Sequence, residues 1–274
     1  DVQGAIDPDT APLALANPIA SDMGVMRTSI WPGLLQTALH NRNRQQERVR
    51  LFELGERFRP DAHGGLAQTD GLAGLALGPC WPEQWSRATR PSDFFDVKGD
   101  LEGLLAPLDG DRFRFVAATH PALHPGQSAR IERDGSLIGW IGTLHPRLQA
   151  RFDLAQAPIL FELELEPLLE QPLPVFQPVS KYPAIRRDLA VIVDESVPVD
   201  AILESVRAAG PAELRDAFVF DEYRGKGVDS GRKSLALGLI LQGLSRTLTD
   251  EEVEGASNEV LACLRSTHGA TLRE

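Results

Sequence analysis

Cysteine is nearly missing from this 274-residue chain: Cys80 and Cys263 are its only two, far apart and with no cysteine or histidine beside them at metal-ligand spacing. Such scarcity argues against a disulfide framework and a zinc site, and fits a reducing, cytoplasmic setting. Long apolar runs are missing too. Nothing approaches the roughly eighteen residues that a membrane helix requires, so no membrane is expected among the partners. A basic excess is also missing, since the net charge is -11. Residues 179–274 carry 12 Lys and Arg against 16 Asp and Glu, and the remainder carries 16 against 23. Any nucleic-acid contact must therefore be a local patch rather than a field over a whole domain. The G-x-S-x-G elbow of hydrolases does not occur. The six histidines are scattered, and the closest pair, His120 and His124, is kept out of a regular helix by Pro121 and Pro125. No catalytic residue and no metal ligand is assigned. The chain opens at Asp1 without methionine and without a basic-then-apolar leader, which reads as a piece cut from a longer protein.

What is present is globular. Hydrophobic residues make up 42% and charged residues 24%, and the length favours two domains over one core. The stretch from Glu166 to Ser180, EPLLEQPLPVFQPVS, holds Pro167, Pro172, Pro174 and Pro178, which should forbid helix and interrupt any central strand. It divides the chain into a first domain at 1–166, a proline-rich linker at 167–180 and a second domain at 181–274.

In the first domain, Pro32 starts a helix with Leu34, Leu35, Ala38 and Leu39 on one side, running into Arg42, Arg44 and Arg48. Those arginines, together with Arg50, are either the solvated end of a helix or a contact for RNA or a partner subunit. Leu51–Phe58 and Leu72–Leu77 read as antiparallel strands joined around Gly64-Gly65. Phe95–Leu108 reads as an amphipathic helix. Strands follow at Arg112–Ala118, Ser128–Arg133, Leu137–Thr143 and Pro158–Leu165, with Asp134-Gly135 as a tight turn. The sum is a mainly antiparallel sheet flanked by helices.

The second domain reads as strand, helix, strand, strand, helix, strand. Ile185–Val193 alternates Leu189, Val191 and Val193 against Ala190 and Ile192. Pro198 opens a helix carrying Ile202, Leu203 and Val206, and the Ala209–Pro211 run closes it. Phe218–Tyr223 and Ser234–Gln242 flank Gly225, Gly227 and Gly231, which suit a hairpin turn. Thr249 caps the next helix with Glu252 as its capping-box partner. A final short strand spans Ala270–Arg273. This is the ferredoxin-like β-α-β-β-α-β topology, in which two helices cover one sheet face and leave the other open.

The glycine-rich run Gly225–Ser234 departs from a phosphate-binding loop because Arg232 breaks the required spacing and two strands flank it. A hairpin with a basic rim is the better reading. Lys181, Tyr182, Arg186 and Arg187 at the entry of the first strand are expected to converge with Tyr223, Arg224, Lys226, Arg232 and Lys233 from the central hairpin. Cations mixed with aromatics suit unstacked RNA bases and their phosphates. Charges that keep a strand edge soluble would give the same pattern.

The segments KYPAIRRDLAVIVDE, FVFDEYRGKGV, GRKSLALGLILQ and SRTLTDEEV, in that order, resemble the ferredoxin-fold anticodon-binding domain that ends the bacterial phenylalanyl-tRNA synthetase beta subunit. Upstream, NPIASDMGVMRTSIWPGLLQTALHNRNR, RLFELGERF, DFFDVKGDLEGLL, LHPGQSARI, IGWIGTLHPRL and FELEL resemble the catalytic-like domain preceding it. The resemblance implies an α+β protein: an antiparallel class II synthetase-like sheet domain followed by the ferredoxin-like one. It implies partners, namely the anticodon stem-loop of tRNA(Phe) and the alpha subunit in an α2β2 ligase. It implies no cofactor in this segment, with ATP and Mg²⁺ serving the alpha subunit. Arg27-Thr28-Ser29 and Leu51–Phe58 are similar to degenerate class II segments, and Gly139–Arg147 stands where a G-x-G-x-x-R ending would be needed for adenylation. Catalysis is therefore expected to be lost here. Two other readings are a ferredoxin-like regulatory module that binds a small metabolite and an autonomous adenylate-forming enzyme.

Overall fold

The computed structural model describes residues 2–20, 23–61, 65–170, 173, 176 and 178–273, with every side chain among them except that of residue 111. The chain folds as two compact units, Asp1–Pro174 and Val175–Glu274. Much of the expected linker, at residues 171, 172, 174, 175 and 177, and Gly64 of the expected turn lie outside the described residues.

The first unit begins with α1 (Val2–Ile6) and α2 (Trp31–Arg42), followed by the strands β1 (Val49–Pro60) and β2 (Leu66–Leu77). Helix α2 carries its proline in the first turn, where a missing N–H is no loss, and buries Leu34, Leu35 and Ala38. Strands β1 and β2 pair antiparallel from Val49↔Leu77 to Pro60↔Leu66. Next comes α3 (Phe94–Leu105), begun by a capping box between Asp93 and Asp96. Beyond Leu105 the expected helix tightens into a 3₁₀ turn containing Pro107, then stops at Asp109 in the left-handed region, φ 66°.

Strands β3 (Phe113–Ala117), β4 (Leu123–Arg133) and β5 (Ser136–Leu144), helix α4 (Pro146–Arg151), strand β6 (Ile159–Glu164) and the short α5 (Glu166–Leu169) complete the unit. All strand pairs are antiparallel, in the order β1-β2-β6-β5-β4-β3. Strand β4 starts five residues before the expected Ser128 because its pairing with β5 shifts register between Leu123 and Ser128. That irregularity accommodates Pro125, whose ring nitrogen cannot donate to a ladder. Helix α5 corrects the reading that Pro167 forbids helix: the proline sits in the first turn, where it is tolerated. One sheet face is covered by α1 and α2 over Leu35, Leu75, Leu144 and Leu160. The other is covered by α3 over Leu101, Ile131, Ile141 and Leu163.

The second unit runs β7 (Ile185–Asp194), α6 (Val199–Ala208), β8 (Leu214–Tyr223), β9 (Arg232–Leu241), α7 (Asp250–His268) and β10 (Thr271–Leu272). Its antiparallel sheet has the order β10-β7-β9-β8, the ferredoxin-like arrangement. Val191 and Val193 from β7 join Leu235, Leu237 and Leu239 from β9 and Ala217 from β8, all packed under Ile202, Val206, Val260 and Leu264 of the two helices. Thr249 caps α7 by accepting from the Glu252 N–H, while Glu252 accepts from the Thr249 N–H at 2.9 Å. Gly227 and Gly231 hold positive φ in the β8–β9 connection.

Candidate nucleic-acid interface

Alternation along the strands decides what faces away from the helices. With Leu189, Val191 and Val193 packed under α6 and α7, the opposite parity of β7 presents Arg186, Asp188, Ala190 and Ile192. Strand β9 adds Ser234, Ala236, Gly238 and Ile240 to the same side. Small residues dominate the middle, and one of them has a visible purpose. A Cβ at Gly238 would stand 2.6 Å from Cζ of Phe218, so the glycine lets the Phe218 ring lie flat across β9.

Around that ring a stacked group forms. The rings of Phe218 and Phe220 lie 6.3 Å apart, and the Arg186 guanidinium sits 5.3 Å from the first and 4.9 Å from the second. Arg186 is oriented by Asp188, whose Oδ1 accepts from its Nε at 2.7 Å. Farther along the face Tyr223, opposite Ser234, carries the Arg273 guanidinium 4.3 Å from its ring centroid. Arg273 is delivered by β10, its N–H donating to the Ala190 carbonyl at 2.8 Å. Both groups are aromatic faces capped by arginine.

The expected cationic residues divide. Arg186 and Tyr223 lie on this face. Lys181 and Tyr182 precede β7 and stack on each other at 5.5 Å, and the Tyr182 carbonyl accepts from Gln242 Nε2. Arg187 is exposed but has the opposite strand parity to Arg186. Arg224 pairs with both Glu222 and Glu195, and its guanidinium pKa is raised chiefly by the Glu222 hydrogen bond. Lys226 is exposed, its carbonyl accepting from the Tyr223 hydroxyl at 3.4 Å.

Two of the expected cations are engaged within the unit. Arg232 donates to the carbonyls of Ile192 at 3.0 Å and Gly269 at 3.1 Å, which fastens the turn into β10 to the sheet. Lys233 is 6% exposed and, by alternation with Leu235, points to the helix-covered side. The nine residues therefore do not converge on one surface. Phe218, Phe220 and Arg273, which pattern reading did not single out, supply much of the open face. Their signal was present in FVF, where two phenylalanines two apart share a strand face.

An uncovered four-stranded sheet backed by two helices, with arginines stacked on its aromatics, places the second unit in the class of ferredoxin-fold binding modules. Residues 180–273 match the family described as ferredoxin-fold anticodon binding domain, and residues 1–165 match the phenylalanyl tRNA synthetase beta chain CLM domain. The chain belongs to the phenylalanyl-tRNA synthetase beta chain family. It is 47% identical over 276 aligned residues to the phenylalanine–tRNA ligase beta subunit of Nitrosococcus oceani, covering 100% of this chain and 35% of that one. The Thiobacillus denitrificans subunit is 51% identical over 98% of this chain and 33% of its own length. That of Methylococcus capsulatus is 46% identical over 100% and 34%. The chain thus spans about a third of the length of the curated relatives it matches.

Proposed function

We propose that this chain is the segment of a phenylalanine–tRNA ligase beta subunit that reads the tRNA anticodon loop and supports assembly with an alpha subunit. The single observation that carries the first half is the uncovered sheet face, with Arg186 against Phe218 and Phe220 and Arg273 against Tyr223. Sheet-borne aromatics stack unpaired bases, and arginines beside them serve phosphates or base edges. The domain division at 1–166, 167–180 and 181–274 belongs to the same proposal. So do a cytoplasmic setting and an α2β2 assembly with ATP and Mg²⁺ in the assembled ligase. Among the described residues, no group of three His, Cys, Asp or Glu side chains is arranged to hold a metal ion. No helix among them is long and apolar enough to cross a membrane.

The test is a salt-dependent titration of the chain with a phenylalanine-accepting tRNA and with a version substituted in the anticodon. Preference for the native anticodon is expected, with affinity falling as salt rises. Equal affinity for both would leave only the assembly role. The family membership supports this reading over a metabolite-binding regulator or an autonomous adenylate-forming enzyme.

A further inference from the structure

The first unit holds a cavity of about 210 Å³ on the sheet face that α1 and α2 cover. Charge and aromatic surface meet in it. Strand β1 contributes Arg57 and Arg59, strand β6 contributes Glu162 and Glu164, and Asp7 follows α1. Trp31, His120 and Trp140 form one continuous aromatic wall, with His120 centred 5.2 Å from Trp31 and 5.0 Å from Trp140.

Some of these groups are fully engaged and some are not. Glu162 is saturated: it accepts from Ser29 Oγ at 2.6 Å, from the Ile30 N–H at 3.1 Å and from Arg57 Nη1 at 3.0 Å. Arg57, only 4% exposed, has Nε and Nη2 buried without a hydrogen bond, Nη2 being 3.7 Å from the nearest Glu164 oxygen. A buried donor without an acceptor is an unusual feature that calls for a reason. Arg59 donates its Nε to the Thr28 carbonyl at 3.0 Å, leaving both Nη groups without a hydrogen bond among the described residues. Asp7 accepts from Thr28 Oγ1 through one oxygen at 2.8 Å, which leaves the other. His120 accepts the Ala122 N–H on Nδ1 at 3.1 Å, so its Nε2 carries the proton as a donor. The sequence leaves room for this arrangement: a Cβ at Gly71 would stand 2.9 Å from Arg57 Nε.

Spare cationic donors and spare carboxylate oxygens therefore border the same small cavity, beside two indoles. A lone anion would meet Asp7 and Glu164, and a lone cation would meet Arg57 and Arg59. A zwitterion satisfies both sets. The volume falls below the roughly 300–1,000 Å³ of drug-sized ligand pockets, which favours a small ligand. We propose that this cavity binds a free α-amino acid with a large apolar side chain: the carboxylate is taken by Arg59 and Arg57, the ammonium by Asp7 and Glu164, and the side chain lies against the Trp31–His120–Trp140 wall. The site is separate from the sheet face of the second unit, so failure of either assignment leaves the other standing.

Calorimetric titration of the 274-residue chain decides the matter, with L-phenylalanine, phenethylamine and 3-phenylpropanoate as probes. L-phenylalanine should bind saturably, and each analogue lacking one charged end should bind at least about tenfold more weakly, the equivalent of one lost charge-assisted hydrogen bond. Arg59→Gln should erase the preference over phenethylamine, and Asp7→Asn the preference over 3-phenylpropanoate. Both positions are half-buried rather than core, and melting within a few degrees of the parent confirms folding. No saturable heat up to about 10 mM amino acid, where affinity is negligible, would overturn the proposal. So would equal binding of all three probes, unchanged selectivity in both variants, or tighter binding of a non-hydrolysable phenylalanyl-adenylate analogue.

Discussion

The guanidinium of Arg273 stands 4.3 Å from the ring centroid of Tyr223, although Arg273 directly follows β10 and Tyr223 ends β8, the two outer strands of the four-stranded sheet. The contact bridges the open face from side to side, and its backbone anchor is the Arg273 N–H on the Ala190 carbonyl. Because β10 is only two residues long, its ladder alone gives little hold on the chain end. An exposed cation–π pair is worth about 0.5–1 kcal/mol. Arg273→Ala and Tyr223→Ala should therefore each destabilise the unit, and the double variant should show a coupling energy of about 0.5–1 kcal/mol in chemical denaturation. Additive losses would show that the two side chains do not support each other.

Phe220 is 47% exposed beneath Arg186, and that exposure makes it the ring most available to a base. Phe220→Ala removes a stacking surface without touching the helix-facing core, so the melting temperature should barely move. Affinity for the phenylalanine-accepting tRNA should fall by about 1–3 kcal/mol, the range found for losing one stacked base. Gly238→Ala reaches the same surface from below, since its new methyl group would collide with Phe218 and displace it. Weakened tRNA binding in both variants, read by electrophoretic shift or fluorescence anisotropy at fixed salt, is the expected outcome. Unchanged binding in both would move recognition off this face.

His120 provides a pH signature in the first unit. Burial pushes its pKa down from 6.5 to about 4, with Asp7 and Asp9 pulling it up and Arg59 pressing it further down. The folded form thus binds fewer protons than the unfolded one between those two values. Stability should be full above pH 6.5 and should decline as pH falls from 6.5 toward 4, by at most about 3 kcal/mol before solvent screening is allowed for. Urea denaturation at pH 7.5 and pH 5 measures the decline. In His120→Gln the difference between the two pH values should shrink, and an equal slope in parent and variant would assign the acid sensitivity to other groups.

The periodicity of the second unit was legible because its strands are short, regular and bounded by strong signals. Leu189, Val191 and Val193 alternate without interruption, and Thr249 with Glu252 marks the start of α7. The start of β8, at Leu214 rather than the expected Phe218, was harder to read. Arg215 and Asp216 are strand residues on an outer strand, where polar side chains meet water and the hydrophobic pattern vanishes. The same alternation that revealed the fold also decides the site, and there side-chain type misled. Lys233 and Arg232 look like rim cations by composition, yet one is turned under the helices and the other is committed to two backbone carbonyls. Facing, rather than charge, separates them from Arg186. The cavity of the first unit was not legible at all, because Asp7, Arg59, His120 and Glu164 come from four distant segments that only the sheet order brings together.

Glu162 and Arg57 form the most deeply buried ion pair among the described residues, with side chains 6% and 5% exposed and a 3.0 Å contact. Glu162 also accepts from Ser29 Oγ and the Ile30 N–H, so it ties the start of α2 to the middle of the sheet. Removing one partner of such a pair leaves the other charge buried without compensation, a loss of about 3–5 kcal/mol. Glu162→Gln keeps the size and one acceptor oxygen but strands the guanidinium. It should lower the denaturation midpoint of the first unit by an amount of that order, whereas replacing both residues with Leu and Met of similar volume should restore most of the stability. A single Glu162→Gln variant as stable as the parent would mean that Arg57 finds its compensation elsewhere, with Glu164, 3.7 Å away, as the nearest alternative.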